Sequence, residues 1–403
     1  MITLHDANDR PIHLSTAAGT LTLSFDGAIN LSFDGEGRMV GAFMDKITYR
    51  RALDNRILAK WIDPDRPGQR IRRFLPADER RALLDRAYAL AAQVPPLLAP
   101  RHSPLAPWFA RITAWDVPRL EAEAARFHAI YKPVSILPPD QYMAVVVQAA
   151  EGCSYNECTF CTFYRDRPFR IKSVDELTEH MAQIRAFLGR GISLRRTLFL
   201  ADANAVIIPQ PRLLPLMDAV NRAFAVGPGP GISKELNGIY AFISAPDALR
   251  KSATDFRELA DRNLRRVYVG LETGHDPLRA FLAKPGQAED VRSAVETIKA
   301  GGVSVGLIFM VGIGGQHFRA AHFRDTVALI QRLPLDADDL IYLSPFVAGP
   351  DSPYVADLTA AGFAPMGDDD IRDEEQRFRA ALLPWAKSRG VRVSHYDVRE
   401  FVY

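Results

Sequence analysis

Three cysteines, Cys153, Cys158 and Cys161, are all that the 403-residue chain contains, and they fall within nine residues. Their segment reads Glu151-Gly-Cys-Ser-Tyr-Asn-Glu-Cys-Thr-Phe-Cys-Thr-Phe-Tyr164, a C-x4-C-x2-C spacing. An odd, clustered set is not a disulfide framework. Three thiolates on one tight loop are soft ligands, suited to zinc or to iron–sulfur. Structural zinc takes four ligands and leaves no open position. There is no fourth cysteine, and no histidine follows at finger spacing; the nearest, His180, lies inside a predicted helix. Three ligands suit a four-iron cluster with one iron open to a small chelating molecule, an arrangement for catalysis. The plainer alternatives are a structural metal knot or three buried thiols.

The elements that must position this loop are legible from about residue 140. Short apolar strands are expected at Met143–Gln148, Thr197–Leu200, Ile239–Ile243, Val267–Leu271, Val303–Val311 and Leu340–Leu343. Several are continuous and β-branched, as in strands buried on both faces. Amphipathic helices alternate with them. The clearest is Val174–Leu188, with Ser173 and Glu176 as a capping box, an apolar stripe of Leu177, Met181, Ile184 and Leu188, and Gly189 as its stop. Six β–α units in series predict an α/β fold with a parallel sheet, open or curled into a partial barrel. Such folds carry chemistry at the C-terminal ends of their strands, where the cysteine loop follows the first one.

Before this series, Thr20 to Lys60 alternates apolar and polar residues. It holds a short echo, Leu23-Ser-Phe-Asp-Gly27 and Leu31-Ser-Phe-Asp-Gly35, whose Asp-Gly pairs signal turns in a hairpin or meander. Helices are expected near Ala77–Gln93 and Val117–His128, with a proline-rich connector between them. After the series, residues from about 370 suggest a long helix and a strand, Val391–Ser394. The expected divisions are 1–135, an N-terminal α+β extension; 136–355, the β/α series; and 356–403, a short C-terminal helix-strand tail.

The cysteine loop resembles that of the radical S-adenosylmethionine enzymes, whose fold is a partial (β/α)6 barrel with a cluster loop after its first strand. The usual spacing there is C-x3-C-x2-C with an aromatic before the last cysteine, a place that Phe160 fills. One extra residue separates Cys153 from Cys158. Gly152 to Tyr164 matches a bacterial subgroup that reads Gly-Cys-x-x-Asn-x-Cys-x-Phe-Cys-x-x-Tyr. The resemblance spans about 140–355. It implies that Cys153, Cys158 and Cys161 hold a [4Fe-4S] cluster whose open iron chelates S-adenosylmethionine, and that Phe160 meets the adenine. After the second strand, Asp202 and Asn204 occupy the place of a segment that contacts the methionine amino group. Val269-Gly-Leu-Glu-Thr-Gly274 is similar to the Gly-Leu-Glu-Ser-Gly of anaerobic coproporphyrinogen dehydrogenases and methylthiotransferases, which implies that Glu272 bonds the ribose hydroxyls. Gly312 and Gly314, in Phe309-Met-Val-Gly-Ile-Gly-Gly315, imply close backbone approach to the adenine. The activity implied is reductive cleavage to a 5′-deoxyadenosyl radical that abstracts hydrogen from an unidentified small-molecule substrate. A reductant such as flavodoxin or ferredoxin is implied with it.

Plainer readings stand beside these. Asp202 and Asn204 suit a turn that ends a strand. Glu272 suits a solvated or capping acid. Gly312, Gly314 and Gly315 suit a simple turn, and Phe160 suits core packing. Arg165, Arg167, Arg170 and Lys172 follow the cluster; one could meet a carboxylate, and a solvated basic face is expected for the others. Gly227-Pro-Gly-Pro-Gly231 reads as a rigid connector. No catalytic residue beyond the cofactor contacts is singled out. The alternatives in other classes are a non-catalytic iron–sulfur electron-transfer protein and a zinc-stabilised binding module.

Composition narrows the classes further. An apolar fraction of 48% and a charged fraction of 24% are ordinary for a globular chain. A formal charge of +2 argues against a dedicated nucleic-acid or anionic-membrane binder. No apolar run approaches the roughly 18 residues of a membrane span. The first residues lack the basic flank and apolar stretch of a signal peptide, so a cytoplasmic location is expected. All three cysteines being committed leaves none for a second cluster.

Overall fold

The structure is a computed structural model that describes every residue except 18, 67–69, 228–235 and 350–351. Most of the expected Gly227–Gly231 connector therefore lies outside the described residues. The chain divides into two compact units. The first comprises Met1–Val134, Ala182–Arg196 and Arg399–Tyr403; the second comprises Ser135–Met181 and Thr197–Val398.

The first unit is built on an antiparallel meander of eight strands in sequence order. They are β1 (Ile2–His5), β2 (Pro11–Ala17), β3 (Thr20–Phe25), β4 (Ile29–Asp34), β5 (Met39–Met44), β6 (Ile47–Arg51), β7 (Ile57–Ile62) and β8 (Arg70–Phe74). Helices α1 (Ala77–Ala91), α2 (Ala106–Ile112) and α3 (Val117–Ile130) follow. The period-2 pattern explains the sheet: Leu21, Leu23, Leu31, Phe33 and Met39 are fully buried and pack with Leu84, Ala87 and Leu120 of the helices. The two echoes take different shapes. The first is a tight hairpin, with Leu23 opposite Leu31 and with Asp26 and Gly27 at φ 51° and 66°. The second turns Asp34 inward, where it is 3% exposed and bonded to Arg38.

The second unit holds a seven-stranded parallel sheet. In chain order its elements are β9 (Ala144–Gln148), the two-residue pair β10 (Ala150–Glu151) and β11 (Arg170–Ile171), α4 (Val174–Leu188, whose residues from Ala182 on belong to the first unit), β12 (Thr197–Ala201), α5 (Gln210–Ala223), β13 (Ile239–Ile243), α6 (Ala245–Ala248), α7 (Ala253–Asp261), β14 (Leu264–Glu272), α8 (Asp276–Phe281), α9 (Ala288–Ala300), β15 (Ser304–Val311), α10 (Gly315–Arg332), β16 (Leu340–Pro345), α11 (Pro353–Ala360), α12 (Asp368–Arg389) and β17 (Arg392–His395). The sheet order, β9-β12-β13-β14-β15-β16-β17, follows the sequence without reversal. Right-handed crossovers in sequential order put the helices on one face, as in a β/α barrel and unlike a doubly wound sheet. The tail's strand, β17, joins this sheet beside β16 and makes it seven-stranded rather than six.

Continuous burial fits the parallel arrangement: Ala144 to Val147 on β9 and Leu198 to Leu200 on β12 are fully buried. Helix α4 has the expected bounds and cap. Ser173 N donates to Glu176 Oε2 at 2.7 Å, and Glu176 N donates to Ser173 Oγ at 3.1 Å. Among the described residues, no helix is long and apolar enough to cross a membrane.

Candidate active site around the cysteine loop

The cysteine loop leaves β9 and returns through β11, and the β10–β11 ladder pins its base, with Ala150 opposite Ile171. Each motif residue around the cysteines has a physical task. Gly152 sits at φ 77°, where an added Cβ would lie 2.8 Å from the Pro168 carbonyl oxygen. Asn156 adopts φ 56° and its amide donates to the Tyr164 carbonyl at 3.2 Å. Tyr164 is buried with the Arg167 guanidinium 5.2 Å from its ring centroid. Cys161 N donates to Cys158 O at 3.2 Å, a tight turn between two of the candidate ligands. Arg165 closes that turn from outside, donating to the Cys158 and Cys161 carbonyls at 3.0 and 3.1 Å.

Three other segments tie the loop down. The turn after α8 bonds it twice, through Thr159 N to Leu282 O at 3.1 Å and Tyr155 Oη to Ala283 O at 2.9 Å. Ser352 Oγ and Tyr354 N, at the start of α11, both donate to Thr159 O. Beneath the loop, Asp202 is 3% exposed. It accepts from Gln148 Nε2, from Gly152 N at 3.0 Å, and from Arg167 at 3.0 and 3.1 Å. Burial pushes the Asp202 carboxyl up and Arg167 opposes it.

All three cysteines are half-buried and line one cavity of about 240 Å³, at the C-terminal end of the parallel sheet. Phe160, Asn204, Asp247, Glu272 and Lys284 line it too. Its floor is aromatic and apolar, including Phe242, Tyr268, Ile308 and Tyr396. Those two tyrosines spend their hydroxyls elsewhere, on Asp140 at 2.6 Å and on Leu137 O at 2.7 Å. Burial pushes the Cys158 thiol up to about 11 and raises Cys161 as well. Buried thiolates therefore need a nearby cation or metal to form.

Glu272 ends β14 at φ 60°, at an irregularity that leaves Leu271 unpaired between Gly270 and Glu272. Its Oε1 accepts from Lys284 Nζ at 2.8 Å. That carboxylate folds back over Gly270, where an added Cβ would meet Glu272 Oε1 at 2.2 Å. Burial opposes the charge on Lys284, but Glu272 and Cys158 outweigh it and its pKa is raised. Arg279, 1% exposed, holds the two together. It donates to Leu271 O at 2.8 Å and to Pro285 and Gly286 carbonyls at 3.0 and 3.1 Å. On the opposite wall Asp247 Oδ2 accepts from Ser244 Oγ at 2.5 Å and Asn204 Nδ2 at 2.6 Å.

The residues expected from the sequence are thus distributed unevenly. The three cysteines, Phe160, Asn204 and Glu272 come together on the cavity. Phe160 also packs against Leu278, Leu282 and Tyr354, so its core role and its cavity role coexist. Asp202 is not on the cavity lining; its acceptors serve the loop from below. Gly312 and Gly314 are off the lining as well. They sit at φ 87° and 82° in the turn from β15 to α10, where added Cβ atoms would meet Ile371 and Leu278 at 2.7 Å. The four basic residues after the cluster divide: Arg165 and Arg170 are exposed, as a solvated face requires, whereas Arg167 and Lys172 are buried. Arg165 holds the cysteine carbonyls, Arg167 pairs with Asp202, and Arg170 and Lys172 both pair with Glu151.

Lys284, Ser244 and Asp247 escaped the sequence reading. Ser244 and Asp247 look like an ordinary helix cap, and Asp247 N does donate to Ser244 Oγ at 3.3 Å. Lys284 lies twelve residues beyond Glu272 in Ala-Lys-Pro-Gly, a pattern that signals only a turn.

The implied cluster makes a particular demand on its donors. Among the described residues, no group of three or more His, Cys, Asp or Glu is gathered so as to hold a metal ion. A cubane differs from a single ion in that its ligands attach at separate corners. Three thiols around one cavity, on a braced loop with a raised-pKa lysine close by, fit that requirement.

No family model matches the sequence, and no curated protein matches it. Solved structures give weak likenesses. Coproporphyrinogen III oxidase (HemN) from Escherichia coli, described as a radical SAM enzyme, is 13% identical with a TM-score of 0.46, over 66% of this chain and 56% of that one. Methylornithine synthase (PylB) is 13% identical with a TM-score of 0.40, over 62% and 71%. HydG, a maturase of the [FeFe]-hydrogenase, is 12% identical with a TM-score of 0.40, over 79% and 71%. The chain spans little more than half the length of the first of these. Likenesses this low carry no argument, so the functional reading rests on the residues of the site.

Proposed function

We propose that the chain is a radical S-adenosylmethionine enzyme acting on a small molecule. The observation that carries this reading is the gathering of Cys153, Cys158 and Cys161 with Glu272 and Lys284 on one cavity at the strand ends. When bound, a reduced [4Fe-4S] cluster would supply one electron to the sulfonium of S-adenosylmethionine, giving methionine and a 5′-deoxyadenosyl radical that takes hydrogen from the substrate.

The chain's own part is to bind, orient and exclude water. Cys153, Cys158 and Cys161 would hold the cluster, and Arg165 keeps their loop closed by occupying its carbonyls. Lys284 donates one bond to Glu272, which leaves further donors for a ligand carboxylate beside Cys158. Glu272 has one carboxylate oxygen tied to Lys284 and the other available to a ribose diol. Asn204 and Asp247 form a polar wall suited to an ammonium group. Phe160 and Met310 supply an apolar slot for the adenine, and the remaining apolar floor suits a substrate with few charges. Asp202 acts through Gly152 and Arg167 as a positioning residue for the loop. Electrons come from a flavodoxin- or ferredoxin-like donor in this reading.

The test is anaerobic reconstitution with iron and sulfide, then dithionite reduction with S-adenosylmethionine. The expected result is a brown protein that releases 5′-deoxyadenosine, and a Cys158→Ala variant that loses both colour and product. A brown protein with reversible redox behaviour but no nucleoside release would point to electron transfer. A colourless, zinc-loaded protein would point to a binding module.

A further inference from the structure

The conformation of Glu272 needs an explanation. A glutamate at φ 60° is uncommon and strained, so its surroundings must over-determine it. Lys284 fixes the side chain but not the backbone. The backbone is held on both sides: before it by Arg279, which donates to Leu271 O at 2.8 Å, and after it one and two residues later. Thr273, fully buried, is 2.7 Å from His322 Nδ1 through its hydroxyl, and Gly274 N donates to Thr326 Oγ1 at 2.8 Å. His322 Nε2 is 2.9 Å from the carbonyl oxygen of Met310, a residue of the same cavity on the neighbouring strand. Gly274 has to be glycine for this contact, since an added Cβ would lie 2.6 Å from the Asp325 carbonyl on α10.

The hydrogen-bond chemistry settles the state of the ring. A carbonyl only accepts, so Nε2 carries the proton and Nδ1 accepts from the Thr273 hydroxyl at 2.7 Å, with the Thr326 hydroxyl as a second, longer neighbour at 3.2 Å. The ring is 1% exposed, 5.3 Å from the Phe378 ring centroid, and burial holds its pKa down at about 4. A neutral imidazole therefore spans from the end of β14 to the end of β15 like a strut with a directed bond at each tip.

We propose that His322, in its Nε2–H tautomer and through the Thr273 hydroxyl, is a positioning residue that holds Glu272 in its left-handed turn so that its free oxygen meets the ribose of the nucleotide. This rests on the assignment of Glu272 to the ribose, and it predicts a ligand-specific defect. The ribose contact exists in S-adenosylmethionine and not in methionine, which binds the same site through its amino and carboxylate groups alone.

The experiment is equilibrium binding of both ligands to the reconstituted protein. Thr273→Val keeps the volume and removes the hydroxyl; it should weaken S-adenosylmethionine about tenfold and leave methionine unchanged. His322→Leu should do the same, and His322→Gln, whose amide can donate to Met310 O and accept from Thr273, should restore the affinity. Equal losses for both ligands, or no loss in Thr273→Val, would overturn the proposal. A wild-type protein that binds neither ligand would instead overturn the underlying reading of the site, and this proposal with it.

Discussion

Each unit of the chain buries a carboxylate–cation pair, and the two pairs are built to different ends. In the first unit Arg38 and Asp34 meet at 2.8 Å with side chains 1% and 4% exposed. Every face of that guanidinium is used: it also reaches Glu123 at 3.1 Å and the last carbonyls of α4, Phe187 O at 3.0 Å and Leu188 O at 2.8 Å. In the second unit Lys284 and Glu272 also meet at 2.8 Å, with side chains 11% exposed, and that exposure is to a cavity. One pair is closed and clamps a helix end to a hairpin. The other keeps donors and an acceptor oxygen in hand. A buried charge does not by itself mark a working site; a buried charge with unused hydrogen-bonding capacity beside a cavity does.

The contrast can be broken most directly at Arg38. Arg38→Met strands Asp34 and Glu123 in a dry interior, and a loss of about 3–5 kcal/mol in denaturant unfolding is expected. A loss under 1 kcal/mol would mean that the pair is not the clamp described.

Acid should separate the units next. His322 is held at about 4 when folded by burial, against about 6.5 when unfolded. The unfolded chain therefore binds the extra proton first as pH falls. His322 contributes full stability above about pH 6.5 and loses it progressively down to about pH 4, on the order of 3 kcal/mol. His275 and Asp325 are the ionisable groups that face it. Hydrogen exchange resolved by segment should show β14, β15 and α10 opening in this window before the meander does. Simultaneous opening would remove His322 as the cause.

The smallest stability effect is expected at the open pair. Lys284→Gln should cost about 1–2 kcal/mol, because water in the cavity can solvate Glu272. Its main consequence is on ligand affinity, with S-adenosylmethionine weakened tenfold or more in the reconstituted protein. A variant destabilised as severely as Arg38→Met, with unchanged affinity, would erase the distinction between the two pairs.

Much of the fold could be read in advance because its signals are local. The continuous apolar runs of β9, β12, β13, β15 and β16, and the capping box of α4, need no distant partner to be recognised. The strands that escaped are those whose pattern is diluted. Strand β8, Arg70-Ile-Arg-Arg-Phe74, carries three arginines, and β1 and β2 precede any strong alternation. They pair because an adjacent strand offers a ladder. The two Leu-Ser-Phe-Asp-Gly echoes make the same point at one residue. Asp26 turns a hairpin, whereas Asp34 is drawn inward by Arg38.

The cysteine spacing, with Gly152, Asn156 and Tyr164 around it, set from sequence alone which ligands the loop can offer: three soft thiols on a tightly turning backbone. Ligand type and backbone freedom are properties of the residues themselves. Only the tertiary structure decided which polar groups share the loop's cavity. It brought Lys284 and Asp247 in, turned Asp202 beneath the loop, and left Gly312 and Gly314 to a turn. Those outcomes depend on where separate strands end relative to one another and on which donors are already satisfied. Neither quantity is encoded by any single stretch of chain.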